Sequence, residues 1–242
     1  IFTSYNDFVD MFFITEDTPY GTKILGTKKA MKKELDNILS PIKFGRSYAD
    51  VGRFLPPVIE NIVNLQLNKA QKDLYKKLKT DYKLKFGAGD DETQMIFNGA
   101  GLLHVLRQVT MGANKVEAVL GIIEDVNAPH VVGTWYRDHA EMIHKELKNS
   151  VLITGDLDPD KRRKLAEEAE RRKQHIVCTE ASMCEGVNLS KYKHLIMVEE
   201  HWPPGANYQF ISRVVRDRND DGQDQEPVHI TYIMVEKSVD TS

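Results

Sequence analysis

From residue 130 onward, apolar positions come in short continuous runs, at 130–135, 151–154, 175–178, 194–198 and 228–233, separated by longer charged stretches. Runs that are apolar at successive positions belong to strands covered on both faces, and the stretches between them have the length of crossover helices. This half therefore predicts an α/β fold: a parallel sheet covered by helices on both faces. Asp158-Pro159 reads as an N-cap followed by proline at the first helical position. In the helix it opens, Glu167/Arg171 and Glu168/Arg172 sit four apart on an exposed face.

Upstream, the pattern changes to lysine-rich amphipathic helices with few strands. Residues 27–40 read as a helix stopping before Pro41, and Val63, Leu65 and Leu67 alternate with Asn64, Gln66 and Asn68 as a strand. Ala70, Leu74, Leu78 and Tyr82 then recur at helical spacing, a glycine-containing acidic loop spans 86–93, and helices follow over about 94–111 and from Lys115. The division expected is a helical extension over 1–112 and a sheet-bearing lobe over 113–242.

Composition narrows the class. With 41% hydrophobic and 29% charged residues the chain has a globular balance, and no apolar run approaches the roughly 20 residues a bilayer crossing needs. Cys178 and Cys184 lack metal or disulfide spacing, which points to an intracellular, reducing location. A net charge of -3 excludes a polycation, so any nucleic-acid contact must come from a local groove. The chain starts at Ile1 without a signal-peptide pattern and reads as a piece of a longer protein.

Two segments could carry chemistry. Gln209, Arg213 and Arg216 follow i, i+4, i+7 and predict one helix face carrying two guanidiniums and an amide, a set suited to phosphate oxygens. Glu185-Gly186-Val187-Asn188-Leu189 follows a predicted strand, where glycine lets the backbone approach a ligand. On spacing alone, the first is equally a solvated basic face and the second an ordinary turn.

Read together with Leu106-Arg107-Gln108, Lys115, Thr134-Trp135, Ile153-Thr154-Gly155, Arg162, Trp202-Pro203-Pro204 and Glu226-Pro227-Val228-His229, the chain resembles the C-terminal RecA-like lobe of Swi/Snf-type, superfamily-two DNA-dependent ATPases. The likeness extends loosely back through Leu55-Pro56 and Gln71 to Tyr75. The resemblance implies a lobe that completes an ATP site held, with Mg2+, mainly by a first lobe of the same protein. Glu185, Gly186 and Asn188 would border the nucleotide, and Gln209, Arg213 and Arg216 would act on the transferring phosphate. Thr134, Trp135, Gly155 and Thr179 would hold the DNA backbone without reading bases. Alone, the lobe would be inactive. Two departures stand out: Met183-Cys184 where the family has small residues, and an acidic insert at 217–221 before Gly222-Gln223.

Other motifs are absorbed without chemistry. Gly21 and Gly26 have phosphate-loop spacing, but Lys28 follows Thr27 instead of preceding it. Asp91-Glu92 follows a glycine-rich loop, and Glu199-Glu200-His201 fits a structural place before Trp202. The basic clusters at 161–164 and 171–173 are interleaved with glutamates, as on a solvated helix. His130, His144, His175 and His194 lack ligand spacing, so no metal site is expected. The competing reading is a catalytically silent DNA- or protein-interaction scaffold. A helicase subunit of a restriction or replication system is a third.

Overall fold

The computed structural model describes residues 4–19, 21–42, 55–86, 92–183, 186–200, 204–216 and 226–240. The chain forms two compact units, Ile1–Gly52 and Arg53–Ser242. In the first, α1 (Tyr5–Phe12) is capped by the Ser4 hydroxyl, which accepts from the Asp7 amide at 3.2 Å. It leads into an antiparallel hairpin of β1 (Phe13–Thr18) and β2 (Gly21–Thr27). The segment with phosphate-loop spacing is thus itself a strand. The helix expected over 27–40 is a 3-10 turn, Lys29–Met31, followed by α2 (Lys32–Leu39).

The second unit is built on six parallel strands: β3 (Val58–Leu65), β4 (His130–Thr134), β5 (Ser150–Ile153), β6 (His175–Thr179), β7 (His194–Met197) and β8 (Val228–Val235), in the order β3-β8-β7-β4-β6-β5. The helices are α3 (Lys69–Phe86), α4 (Glu92–Val126), α5 (Arg137–Glu146), α6 (Pro159–Arg171), α7 (Glu180–Met183) and α8 (Pro204–Val214). The strand pleat sorts the core into two layers. Val131, Ile176, Cys178, Leu195 and Met197 meet Ala166, Ala169, Met183, Phe210 and Val214 of α6 to α8. Val132, Val177, Ile196 and Val198 meet Met111, Val116, Val119 and Ile123 of α4 and Ala140 and Ile143 of α5. Burial on both faces is why these strands read as unbroken apolar runs.

The sheet takes in β3, from upstream of 113, pairing with β8 in register from Val58↔Val228 to Leu65↔Val235. Where two helices were expected around 94–111 and 115, α4 runs unbroken over 35 residues. Gly112 costs about 1 kcal/mol relative to alanine inside a helix. Burial of Met111, Val116 and Val119 on either side, at about 1.5–3 kcal/mol for each large side chain, exceeds that. Of the stripe expected on α3, Leu78 packs inward but Tyr75 takes the place of Leu74. Tyr75 is buried among Leu67, Leu106, Val235 and Val239 with Leu78 beside it, while Leu74 is 48% exposed.

β4 lies at the middle of the sheet. The chain leaves it to one side for β5 and β6 and then crosses to β7 on the other. Such a reversal leaves a crevice outside the carboxyl ends of the strands, where ligands of open α/β sheets bind.

Candidate functional site

Gly186, Asn188 and, just beyond strand ends, Trp135 and Gly155 lie along this carboxyl edge. After α7, Gly186 has φ +71°, a left-handed conformation that glycine adopts without penalty, and an added Cβ would meet nothing within 4 Å. The turn is therefore open on its outer side. Val187 and Leu189 anchor it in the core, while Asn188 is exposed and its side-chain oxygen accepts from the Ser190 amide at 3.1 Å. The Leu189 amide donates to the Arg213 carbonyl at 3.0 Å, which ties this turn to the end of α8.

α8 is fixed from beneath by Phe210 and Val214, both fully buried, and Val215 follows it into the core. Gln209 is exposed and Arg213 half-buried. The shared helix face holds for Gln209 and Arg213 but not for Arg216, because α8 ends at Val214. Arg216 instead folds back, its Nε donating to the Ser212 carbonyl at 3.0 Å, and it too is half-buried. Arg213 is the next-to-last residue of α8 and Arg216 lies two residues beyond its end. Glu185, Cys184, Trp202, Pro203 and the acidic insert lie outside the described residues.

The residues expected to meet DNA divide into two kinds. Trp135 is half-buried and Gly155 exposed, both just beyond strand ends. Thr134, by contrast, is completely buried; its hydroxyl donates to the Tyr136 carbonyl at 2.9 Å and shapes the turn after β4. Thr179 is also buried. The Thr134 hydroxyl is thus committed inside the turn after β4.

Trp135 is held by several groups at once. Its amide donates to Glu199 Oε2 at 3.0 Å, its ring stacks on Tyr136 with centroids 6.0 Å apart, and the Arg107 guanidinium lies 4.9 Å from its ring centroid. Arg107 also donates to the Glu200 carbonyl, and the Tyr136 hydroxyl lies 2.9 Å from His104 Nδ1. Burial, then the Glu199 charge, pushes the Tyr136 hydroxyl up to about 12.

Behind this loop lies a buried polar network. Lys115 is fully buried, pairs with Asp240 at 2.8 Å and donates to the Val198 carbonyl at 2.9 Å. Glu199 pairs with His139 Nδ1 at 2.5 Å. Burial works against its ionisation, yet the His139 bond and the Lys115 charge hold its carboxyl below the usual range. Glu180, immediately after β6, goes the other way: burial, then Glu199 and Glu200, raise it to about 8. Arg107 and Lys115 stood in the sequence as motif positions. The roles of Asp240, His139 and Glu180 had no signal there beyond single charges within apolar surroundings. Among the described residues, no group of His, Cys, Asp and Glu is arranged to hold a metal ion, and no helix is long and apolar enough to cross a membrane.

Residues 114–218 match the helicase conserved C-terminal domain. No curated protein matches the chain by sequence. Among solved structures, the C-terminal part of the Fun30 ATPase domain superposes with a TM-score of 0.61 at 16% identity, over 78% of this chain and 88% of that one. The Sulfolobus solfataricus SWI2/SNF2 ATPase C-terminal domain gives 0.57 at 15% identity, over 74% and 79%. The SWI2/SNF2 ATPase core of the same organism, in complex with dsDNA, gives 0.60 at 22% identity, over 86% of this chain and 48% of that one. Residues 114–218 are thus similar to a helicase C-terminal domain, and the second unit has a RecA-like fold. More closely, the fold is that of the C-terminal lobe of Swi2/Snf2 ATPases, and it spans about half of such an ATPase core.

Proposed function

We propose that this lobe is the closing half of a DNA-dependent ATPase: it completes a nucleotide site formed with a first lobe and grips the DNA backbone on the same edge. The observation that carries the reading is the bond from the Leu189 amide to the Arg213 carbonyl, which joins the open Gly186 turn to the arginines at the end of α8. An open turn with an exposed Asn188 and two half-buried guanidiniums fits the anionic side of a triphosphate. Glu185 would extend that border. When bound, ATP and Mg2+ would be held mainly by the first lobe, and the ion would supply charge neutralisation on the phosphates. Gln209 positions the attacking water's surroundings, and Arg213 and Arg216 meet charge on the transferring phosphoryl group. Arginines in this role are worth about 10³ to 10⁵ in rate in other phosphoryl-transfer systems.

Trp135 and Gly155 supply the DNA contacts in this reading, reaching the sugar-phosphate backbone and not base edges. The double-stranded DNA in the Sulfolobus complex supports that assignment.

The test is steady-state ATPase with saturating DNA on the two-lobe protein, comparing wild type with Arg216→Ala and Arg216→Lys, alongside this 242-residue chain alone. Arg216→Ala is expected to lower kcat by at least 10³ with little change in ATP affinity. Lysine should rescue poorly, because a point ammonium lacks the planar fork. The chain alone should show no DNA-stimulated turnover. A folded Arg216→Ala protein keeping more than about a tenth of wild-type kcat, a barrier change under about 1.4 kcal/mol, would refute the assignment.

A further inference from the structure

At the end of the carboxyl edge beyond β3 and β8, α3 departs from the charge balance of the chain. It holds seven lysines against two aspartates in 18 residues, within a protein of net charge -3. Lys72, Lys76 and Lys79 follow i, i+4, i+7 and so share one face. That face borders a cavity of about 330 Å³ lined also by Gln66, Leu67, Tyr75, Glu236 and Lys237. Lys237 closes the other side from the turn after β8, at a φ of +56°. Four lysines from two separate elements thus line one cavity with Leu67 and the buried Tyr75, and Lys79 Nζ lies 4.8 Å from the Tyr75 ring centroid.

Among the described residues, none of these four ammoniums is in an ion pair; the unit's salt bridges lie elsewhere, as in Lys115–Asp240, Arg163–Asp160 and Lys191–Glu170. Glu236 brings one carboxylate to the cavity, leaving a local excess of positive charge. Like charges gathered around a concavity repel one another, and an anion carrying several oxygens relieves that repulsion. The donors are lysines, mobile point charges suited to tetrahedral phosphate, and not the planar forks that select carboxylate. By volume the cavity takes a group of on the order of ten heavy atoms, the size of two linked phosphoryl groups.

We propose that the cavity between α3 and the turn after β8 is a second phosphate-binding site, taking adjacent phosphoryl groups of a polyanion on Lys72, Lys76, Lys79 and Lys237. Two adjacent phosphates of a nucleic-acid backbone and a free linear polyphosphate present this same chemistry. The cavity lies beyond β3 and β8, while Gly186 follows β6 on the far side of β7 and β4 in the same sheet; the cavity's ligand does not depend on ATP hydrolysis, so the proposal can hold or fail independently of the nucleotide-site reading.

The experiment uses the 242-residue chain, its Lys72→Gln/Lys76→Gln variant, and Lys161→Gln/Lys164→Gln as a control of equal charge change on exposed positions of α6. Two probes are applied: sodium tripolyphosphate, read by thermal shift, and a fluorescent 20-base-pair duplex, read by anisotropy from 25 to 150 mM salt. Tripolyphosphate is expected to raise the melting temperature of wild type and control but not of the Lys72/Lys76 variant. Loss of duplex affinity in that variant alone, with the log–log salt slope shallower by about 1.8, assigns the site to a nucleic-acid backbone. Loss of the tripolyphosphate shift with unchanged duplex binding assigns it to a free polyphosphate. The proposal is overturned if tripolyphosphate shifts all three proteins equally or none of them.

Discussion

Gly133, in the middle of the sheet, offers the sharpest test of how the core positions the arginine helix. A Cβ there would lie 2.4 Å from Phe210 Cε1 and 2.9 Å from Cζ, with Glu180 Cγ at 3.4 Å. Carbon atoms pack at about 3.5 Å or more, so in Gly133→Ala the fully buried Phe210 ring must retreat by about 1 Å. Forcing an extra methyl into a well-packed core costs about 1–3 kcal/mol. For a domain of this size that is roughly a 2–12 °C fall in melting temperature. Phe210 lies between Gln209 and Arg213 on α8, so the strain falls on the helix that carries them. Phe210→Leu removes the colliding edge, and although alone it costs on the order of 1 kcal/mol as a small cavity, it should offset the damage when combined with Gly133→Ala. Urea and thermal melts of the wild type, both single variants and the double variant give the coupling energy, expected to exceed about 0.5 kcal/mol in the stabilising direction. If Gly133→Ala melts with the wild type, or if the two changes simply add, the close approach of Phe210 to β4 does not position α8.

Two further outcomes follow from buried charge. Glu180, raised to about 8 in the folded chain against an ordinary 4.5, gives stability that is complete below pH 4.5 and lost as pH rises through 8; thermal melts should fall by on the order of 2 kcal/mol between pH 6.5 and 8 in wild type and stay flat in Glu180→Gln. Identical profiles for the two proteins would contradict this. His130, lowered to about 4 by burial and its neighbours, acts oppositely: its folded form binds fewer protons, so stability is lost as pH falls from 6.5 towards 4, and Glu180→Gln should expose that loss more steeply. The rings of His229, His194, His130 and His175 follow one another at 5.2, 4.9 and 5.9 Å across the amino ends of the strands, and His175 and His194 are shifted in the same direction. Lys115→Met leaves the Asp240 carboxylate without its ammonium and should cost about 3–5 kcal/mol, with much of it recovered by adding Asp240→Asn; urea melts showing no recovery would count against the pair as its cause.

The strands were readable because both their faces are buried, so every position between His130 and Thr134, for example, had to exclude water. Gly186 was readable because glycine marks unusual backbone. What was not legible has local physical causes. Nothing in Val214-Val215-Arg216 signals a helix end, since the fold stops α8 by drawing Val215 into the core. Thr134 looks the same in sequence whether its hydroxyl faces outward or caps the Tyr136 turn. On α3, Leu74 and Tyr75 are both large and apolar, and only the position of Val235 and Val239 decides which one is covered. Asp240 could not be tied to Lys115 because 125 positions separate them and a salt bridge leaves no periodicity.

The pairing of β3 with β8 also orders events in time. Val58 meets Val228, 170 residues later, and β3 is hydrogen-bonded to no other strand of its sheet. During synthesis the backbone groups of β3 therefore wait, exposed, until almost the whole sheet has left the ribosome, and Ile59 and Ile62, still 42% and 64% exposed after folding, wait with them. An unpaired apolar edge in a growing chain invites association with other chains. The period in which a molecular chaperone matters most to this protein is the interval between emergence of residue 65 and emergence of residue 235.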